Sequence, residues 1–264
     1  MPRPKPVGQA LQEAINYSIR LEEERADLTD FQIARLARLA CPSPGNYLLH
    51  LVKEMLVAEM ERDFKRFDQA AERFLASRVT DDLLINMSST ALFAHSPGAA
   101  VTMLRRLMND YPDRLDGFVW AVEVAWFVGD LELCVELRER VERLGGSMER
   151  DGRDLEAIRV LSEAGVSLDS YRAYLEGVHS LIRQHVEGRR DVRVVLNFGT
   201  TQHEDGYEGV ILEIKSDLEE AALDRLDDDL LVYAGSNEAI ESGVSNAVTI
   251  LVRDLPEHRS ERVA

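Results

Sequence analysis

Cysteine is nearly missing from this sequence: Cys41 and Cys134 are the only two in 264 residues. With no CxxC pair and no secretion signal, neither a disulfide framework nor a thiolate metal site is implied, and both thiols are expected to be reduced. Long apolar runs are missing too. No basic start leads into an apolar segment and no stretch reaches the roughly 18 apolar residues of a membrane span, so the chain reads as soluble and cytoplasmic. The common phosphate and metal signatures are also lacking. There is no GxxxxGK[ST] loop and no GxGxxG after a strand, and the His203-Glu204 pair meets Tyr207 where an HExxH motif needs its second imidazole. No cofactor or metal is expected, and the chain reads as a non-enzyme. Basic charge is scarce: 31 Lys and Arg stand against 48 Asp and Glu, net −17. Such a field repels nucleic acid and bilayers and attracts basic protein surfaces.

The segment Pro2-Arg3-Pro4-Lys5-Pro6 cannot be helical, because alternate residues lack an amide donor. From Val7 the apolar spacing becomes helical. Leu11, Ala14, Ile15 and Leu21 share one face, and Thr29-Asp30 offers a cap for a second helix carrying Ile33, Leu36 and Ala37. Cys41 to Asn46 ends it with two prolines and a glycine. Gln32 to Ala37 looks like the first helix of a DNA-binding helix-turn-helix. The following connection is too long and proline-rich for that motif, and no basic recognition helix follows.

From Tyr47 to about Leu144 the chain reads as helix, short break, helix, repeated. Phe67, Ala70 and Phe74 share a face. Ser96-Pro97 starts a helix whose Ala100, Met103, Leu104 and Leu107 point inward. Gly129-Asp130 precedes another with Cys134, Leu137 and Val141 on one side. These residues resemble the tetratricopeptide repeat, a helix-turn-helix unit of about 34 residues. Ala100 and Cys134, 34 apart, stand where that repeat places a small residue. Ser88 matches the other small position, Pro112 the unit's end, Phe118 the aromatic position and Gly129-Asp130 the inter-helix turn. An earlier unit aligns Ala70 with Ala100, only 30 residues on, and a later one runs from Leu155 to about His185. The resemblance covers roughly residues 47–145 and implies a scaffold that binds another polypeptide. A plain helical bundle shares the same periodicity and is the alternative.

Near Glu187-Gly188 the period switches from 3.6 to 2. Val192 to Phe198 and Val210 to Ile214 alternate as strands. Ser216-Asp217-Leu218-Glu219 matches a capping box, and the helix it opens is expected to end at Leu226. Leu230 to Ala234 and Ala247 to Val252 then read as two further strands. The fold class is therefore mainly α: a tetratricopeptide-like array over residues 1–187, then a small α+β domain, β-β-α-β-β, over 188–264. The two are expected to separate near Glu187 to Asp191. Residues 191–264 hold 17 acidic and 6 basic side chains, net −11, so the terminal domain carries most of the acidity.

Two sets of residues are candidates for partner binding. Trp120 and Trp126 lie six apart in a helix apolar nearly all round; both suit packing between repeats, and tryptophan is also the commonest hot spot of a binding groove. Asp227, Asp228 and Asp229 follow Leu226 at the expected helix end, where the dipole disfavours them and a binding role would explain them. The leading expectation is an adaptor whose helical array grips a partner polypeptide, one with a basic surface, while the terminal domain docks a second surface or closes a homodimer. A second is an inhibitor, immunity or antitoxin-like protein that uses the acidic domain against a basic target. The third is an enzyme centred on the polar loop Thr200 to Asp205, where His203 is the one imidazole among carboxylates.

Overall fold

The computed structural model describes residues 7–39, 47–148, 152–202 and 208–255; Cys41 and the His203 loop lie outside them. Ten helices come first: α1 (Val7–Glu23), α2 (Asp30–Leu39), α3 (Tyr47–Met60), α4 (Phe64–Leu75), α5 (Asp81–Phe93), α6 (Pro97–Asp110), α7 (Leu115–Phe127), α8 (Leu131–Arg143), α9 (Arg153–Glu163) and α10 (Leu168–Val186). None of the helices is long and apolar enough to cross a membrane, among the described residues. Residue Thr29 caps α2 as expected, in a reciprocal box: its hydroxyl accepts from Gln32 N–H, and Gln32 Oε1 accepts from Thr29 N–H at 2.7 Å.

Helices α3 to α8 pair as three hairpins, and one turn builds all three. Arg62, His95 and Gly129, 33 and 34 residues apart, each take a left-handed φ, at 55°, 49° and 77°. The N–H one residue later bonds the carbonyl five residues back, Asp63 to Ala58, Ser96 to Ala91 and Asp130 to Ala125, at 2.8 to 3.1 Å. This is the Schellman ending, which satisfies carbonyls the first helix would leave open. The second helix then starts at once. Asp63 and Asp130 cap theirs by accepting from Arg66 and Leu133 N–H; Ser96 makes no such bond and gives its hydroxyl to Asp68 instead. Counted from these turns, Ala100 and Cys134 are equivalent and both fully buried. The residue equivalent to them in the first hairpin is Phe67, not Ala70, which corrects the 30-residue register.

Helix α10 does not repeat the pattern, although Gly165 makes the same turn before it. It runs across the three hairpin turns as a strap. Gly188 N–H, just past its end, bonds the Arg62 carbonyl; His179 meets His95; Leu175 packs under Gly129, and Arg172 lies 3.7 Å from Asp130. Arg172 and His179 are seven residues apart, a rise of about 10.5 Å, close to the ~8–10 Å between packed helices, and Gly188 follows just past the end of the helix.

The last third is a three-stranded sheet with helices on one face. Strand β1 (Val194–Gln202) pairs antiparallel with β2 (Glu208–Ser216); α11 (Glu220–Ala234), α12 (Asn237–Glu241) and α13 (Val244–Ala247) cross over to β3 (Val248–Asp254), parallel to β2. The order is β1-β2-β3, so β1 is an edge. Val210, Leu212, Ile214 and their cross-strand partners face the helices. Two expectations are corrected. Leu230 to Ala234 is no strand but the end of α11: Ala222, Leu226 and Leu230 are buried while Leu231 and Val232 are 62% and 75% exposed, which is helical spacing. The sheet therefore has three strands among the described residues. Nor does Ser216 to Glu219 form a capping box. The Ser216 hydroxyl bonds the Arg193 carbonyl and receives Leu218 N–H, and the Asp217 carboxylate takes Arg193 N–H.

Buried apolar side chains run without a break from Ala14 to Val248, and the segment around 187–193 is held by backbone bonds to the array. We therefore expect one cooperative urea transition seen alike by helix and sheet probes, rather than two. Gly129 and Gly145 share a left-handed φ, but a Cβ on Gly129 overlaps Leu175 while one on Gly145 meets nothing. Gly145→Ala should cost about 1 kcal/mol for the backbone alone, and Gly129→Ala roughly 2–4 kcal/mol once overpacking is added, both read from urea melts.

Candidate functional site

The first helices of the hairpins line the inside of the array, and β1 closes its far end. Between α1, α5, α7 and β1 lies a cleft of about 830 Å³, walled by Ile19, Leu92, Phe93, Phe127 and Val194 to Asn197. A smaller hollow of about 310 Å³ continues it along α5 to Ile85 and Trp120, sharing Ile19, Glu22 and Phe93. Ile19, Phe93 and Trp120 are 46%, 40% and 50% exposed. Large apolar side chains gathered on one concave wall mark a binding surface more than scattered ones do.

The two tryptophans part company. Trp120 stands half out of the wall with its Nε1–H given to Ser89 Oγ at 2.8 Å, which fixes the indole. Trp126 is buried, edge-on to Phe198 at 5.8 Å with the Arg153 guanidinium over its ring. The aspartates are placed otherwise than the sequence suggests. Asp227, Asp228 and Asp229 lie inside α11, not at its end, so the dipole argument for them fails. They face outward because Leu226 and Leu230 on either side are buried. Asp229 already holds His185 Nε2 at 2.8 Å, and the three lie on a different element from the cleft.

Beneath the cleft is a buried charge cluster. Arg25, Glu59 and Arg62 are 0–2% exposed. Arg25 binds both Glu22 and Glu59 and the carbonyls of Met60 and Arg190. Arg62 donates to the carbonyls of Phe93 at 2.8 Å and Val192 at 3.2 Å, and lies 3.6 and 3.7 Å from Glu22 and Glu59. Two cations thus face two carboxylates. Burial, with the Glu22 charge adding to it, pushes Glu59 up to about 7, whereas the guanidiniums overcome burial and hold Glu22 below its ordinary value. Beside the cluster, His95 Nδ1 and His179 Nδ1 are 3.2 Å apart. Such a bond needs a proton on one ring and a lone pair on the other, so the two cannot both be charged. Burial drives both down, His179 to about 4, even though its bond to the Phe127 carbonyl favours protonation.

No family model matches the chain, and neither the curated proteins nor the solved structures give a match. The chemistry must be read from the geometry. Among the described residues no three ligand-type side chains gather as a metal site. The ionised groups beneath the cleft bind one another. What the cleft offers outward is apolar wall, one oriented indole, and the edge of a strand.

The histidines set a pH test. Their folded values lie below the unfolded ~6.5, so they contribute stability that is present above pH 6.5 and lost as pH falls toward 4. Glu59, raised, works in the opposite sense between about 4.5 and 7. His179→Gln should flatten the loss of stability between pH 6.5 and 4 relative to the wild type, in urea melts at fixed pH steps.

Proposed function

We propose that the protein is a polypeptide-binding scaffold whose three hairpins act as tetratricopeptide-like units and whose binding site is the cleft between α1, α5, α7 and β1. The observation that carries this reading is the continuous apolar wall with Ile19, Phe93 and Trp120 half exposed on it. The recurrence of one turn at 33 and 34 residues supports the likeness to the repeat. A partner with apolar anchors gains most where such side chains leave water together. The acid surface on α11 is the competing site, on which an inhibitor-like role against a basic target would rest.

Affinity capture with three forms of the chain separates them. The double variant Phe93→Ala, Trp120→Ala should lose the partner by tenfold or more at unchanged fold, since buried aromatic anchors contribute about 2 kcal/mol or more each. Asp227→Asn, Asp228→Asn, Asp229→Asn together should retain it. The reverse pattern assigns binding to the acidic face and overturns the proposal.

A further inference from the structure

Strand β1 presents its edge to the cleft. Val194, Val195, Leu196 and Asn197 all line it, and consecutive residues of a strand, whose side chains alternate between faces, meet one hollow only where the strand stands edge-on. The direction of its polar backbone groups follows from two bonds at the sheet's end. Leu255 N–H bonds the Ser216 carbonyl at 2.8 Å, so the even-numbered residues of β2 serve β3 and the odd-numbered ones serve β1. In the register Val195↔Lys215 and Asn197↔Glu213, the odd residues of β1 then exchange bonds with β2. Arg193 agrees, with its N–H on Asp217 and its carbonyl on Ser216. The N–H and C=O of Val194 and Leu196 therefore point out of the sheet into the cleft. Among the described residues they meet no hydrogen-bond partner from another element.

A pair of open donors and acceptors inside an apolar cleft selects an occupant that carries the same groups at the same spacing, which is another extended backbone. Building on the reading of the protein as a polypeptide binder, we infer that the bound segment of the partner is extended and adds to the sheet as a fourth strand against β1. Its chemistry follows from the walls. Side chains at alternate positions turn toward Ile19, Phe93 and Phe127 and are apolar; the exposed Glu23 on the α1 wall favours basic residues between them, Glu22 being engaged by Arg25 and Arg62. A helix cannot satisfy these groups, because its own backbone bonds are already made.

The probes are two octapeptides of four valines and four lysines, one strictly alternating, the other with valines at positions 1, 4, 5 and 8. The alternating peptide should bind the full chain at least tenfold tighter by calorimetry. Val194→Pro removes one outward N–H without touching the β1–β2 ladder, as an edge strand tolerates, and should weaken the alternating peptide about tenfold, the worth of a lost hydrogen bond. Amide exchange needs no variant: Val195 and Asn197 should be protected in the free protein, and Val194 and Leu196 only after the peptide is added. If the helically spaced peptide binds as well and Val194→Pro leaves it unchanged, the scaffold reading stands and strand addition falls. Failure of both peptides to bind overturns strand addition and counts against the cleft as a binding site. Protection of Val194 and Leu196 that rises with protein concentration alone overturns the partner in favour of a second copy of the chain.

Discussion

The guanidinium of Arg62 is the point through which the three parts of the molecule are joined. It leaves the backbone at the left-handed residue of the first hairpin turn and bonds α5 at Phe93 and the entry to the sheet at Val192. It shares the carboxylates of Glu22 and Glu59 with Arg25. Taking four charged groups out of water has a desolvation cost that offsets most of their mutual attraction, so the cluster adds little net stability compared with an apolar core. Removing one member is another matter, since it strands a charge, at about 3–5 kcal/mol. The cluster's effect is on register. Only one placement of α1, α3, α5 and the strand entry satisfies it, and that placement fixes the width of the cleft above.

The strap α10 works on the same turns from the other side. Arg172, His179 and, just past its end, Gly188 meet the three hairpin turns in order, so one helix sets the spacing of the array. The His95–His179 bond sits at the middle contact, and Gly177 lets α11 approach closely through Tyr233, which stacks on Tyr174 at 5.1 Å and donates to its carbonyl. The array, the strap and the sheet are thereby layers of one core rather than neighbours on a linker, which is why the change of periodicity near Glu187 does not mark a gap in packing.

Periodicity made the helical half legible. Ala100, Met103, Leu104 and Leu107, and Cys134, Leu137 and Val141, are buried as their spacing predicts. The misread segment, Leu230 to Ala234, has the apolar and β-branched content of a strand, and only the stripe begun at Ala222 shows that it continues a helix. The turn residues Arg62 and His95 were invisible because left-handed positions are sought at glycine, and the charge cluster because its two i,i+3 pairs, Glu22 with Arg25 and Glu59 with Arg62, meet only in the fold. One signal did exist. Glu59 sits in α3 within the run Met55, Leu56, Val57, Ala58 and Met60, all buried; a carboxylate in a stretch that is apolar on every side must be buried and paired. The cleft itself has no sequence signature, since α1, α5, α7 and β1 meet only in the fold.

An open strand edge is ordinarily a hazard, because it templates further strands without limit. Here the edge of β1 is sunk between α1, α5 and α7, and the helix walls leave a space of about 830 Å³ beside Val194 to Asn197. Four residues of strand span roughly 13 Å. The apolar wall beside Val194 to Asn197 shields this edge from pairing with the flat edge of another sheet: it is recessed into a helical array that is tied together by Arg62 below and α10 behind.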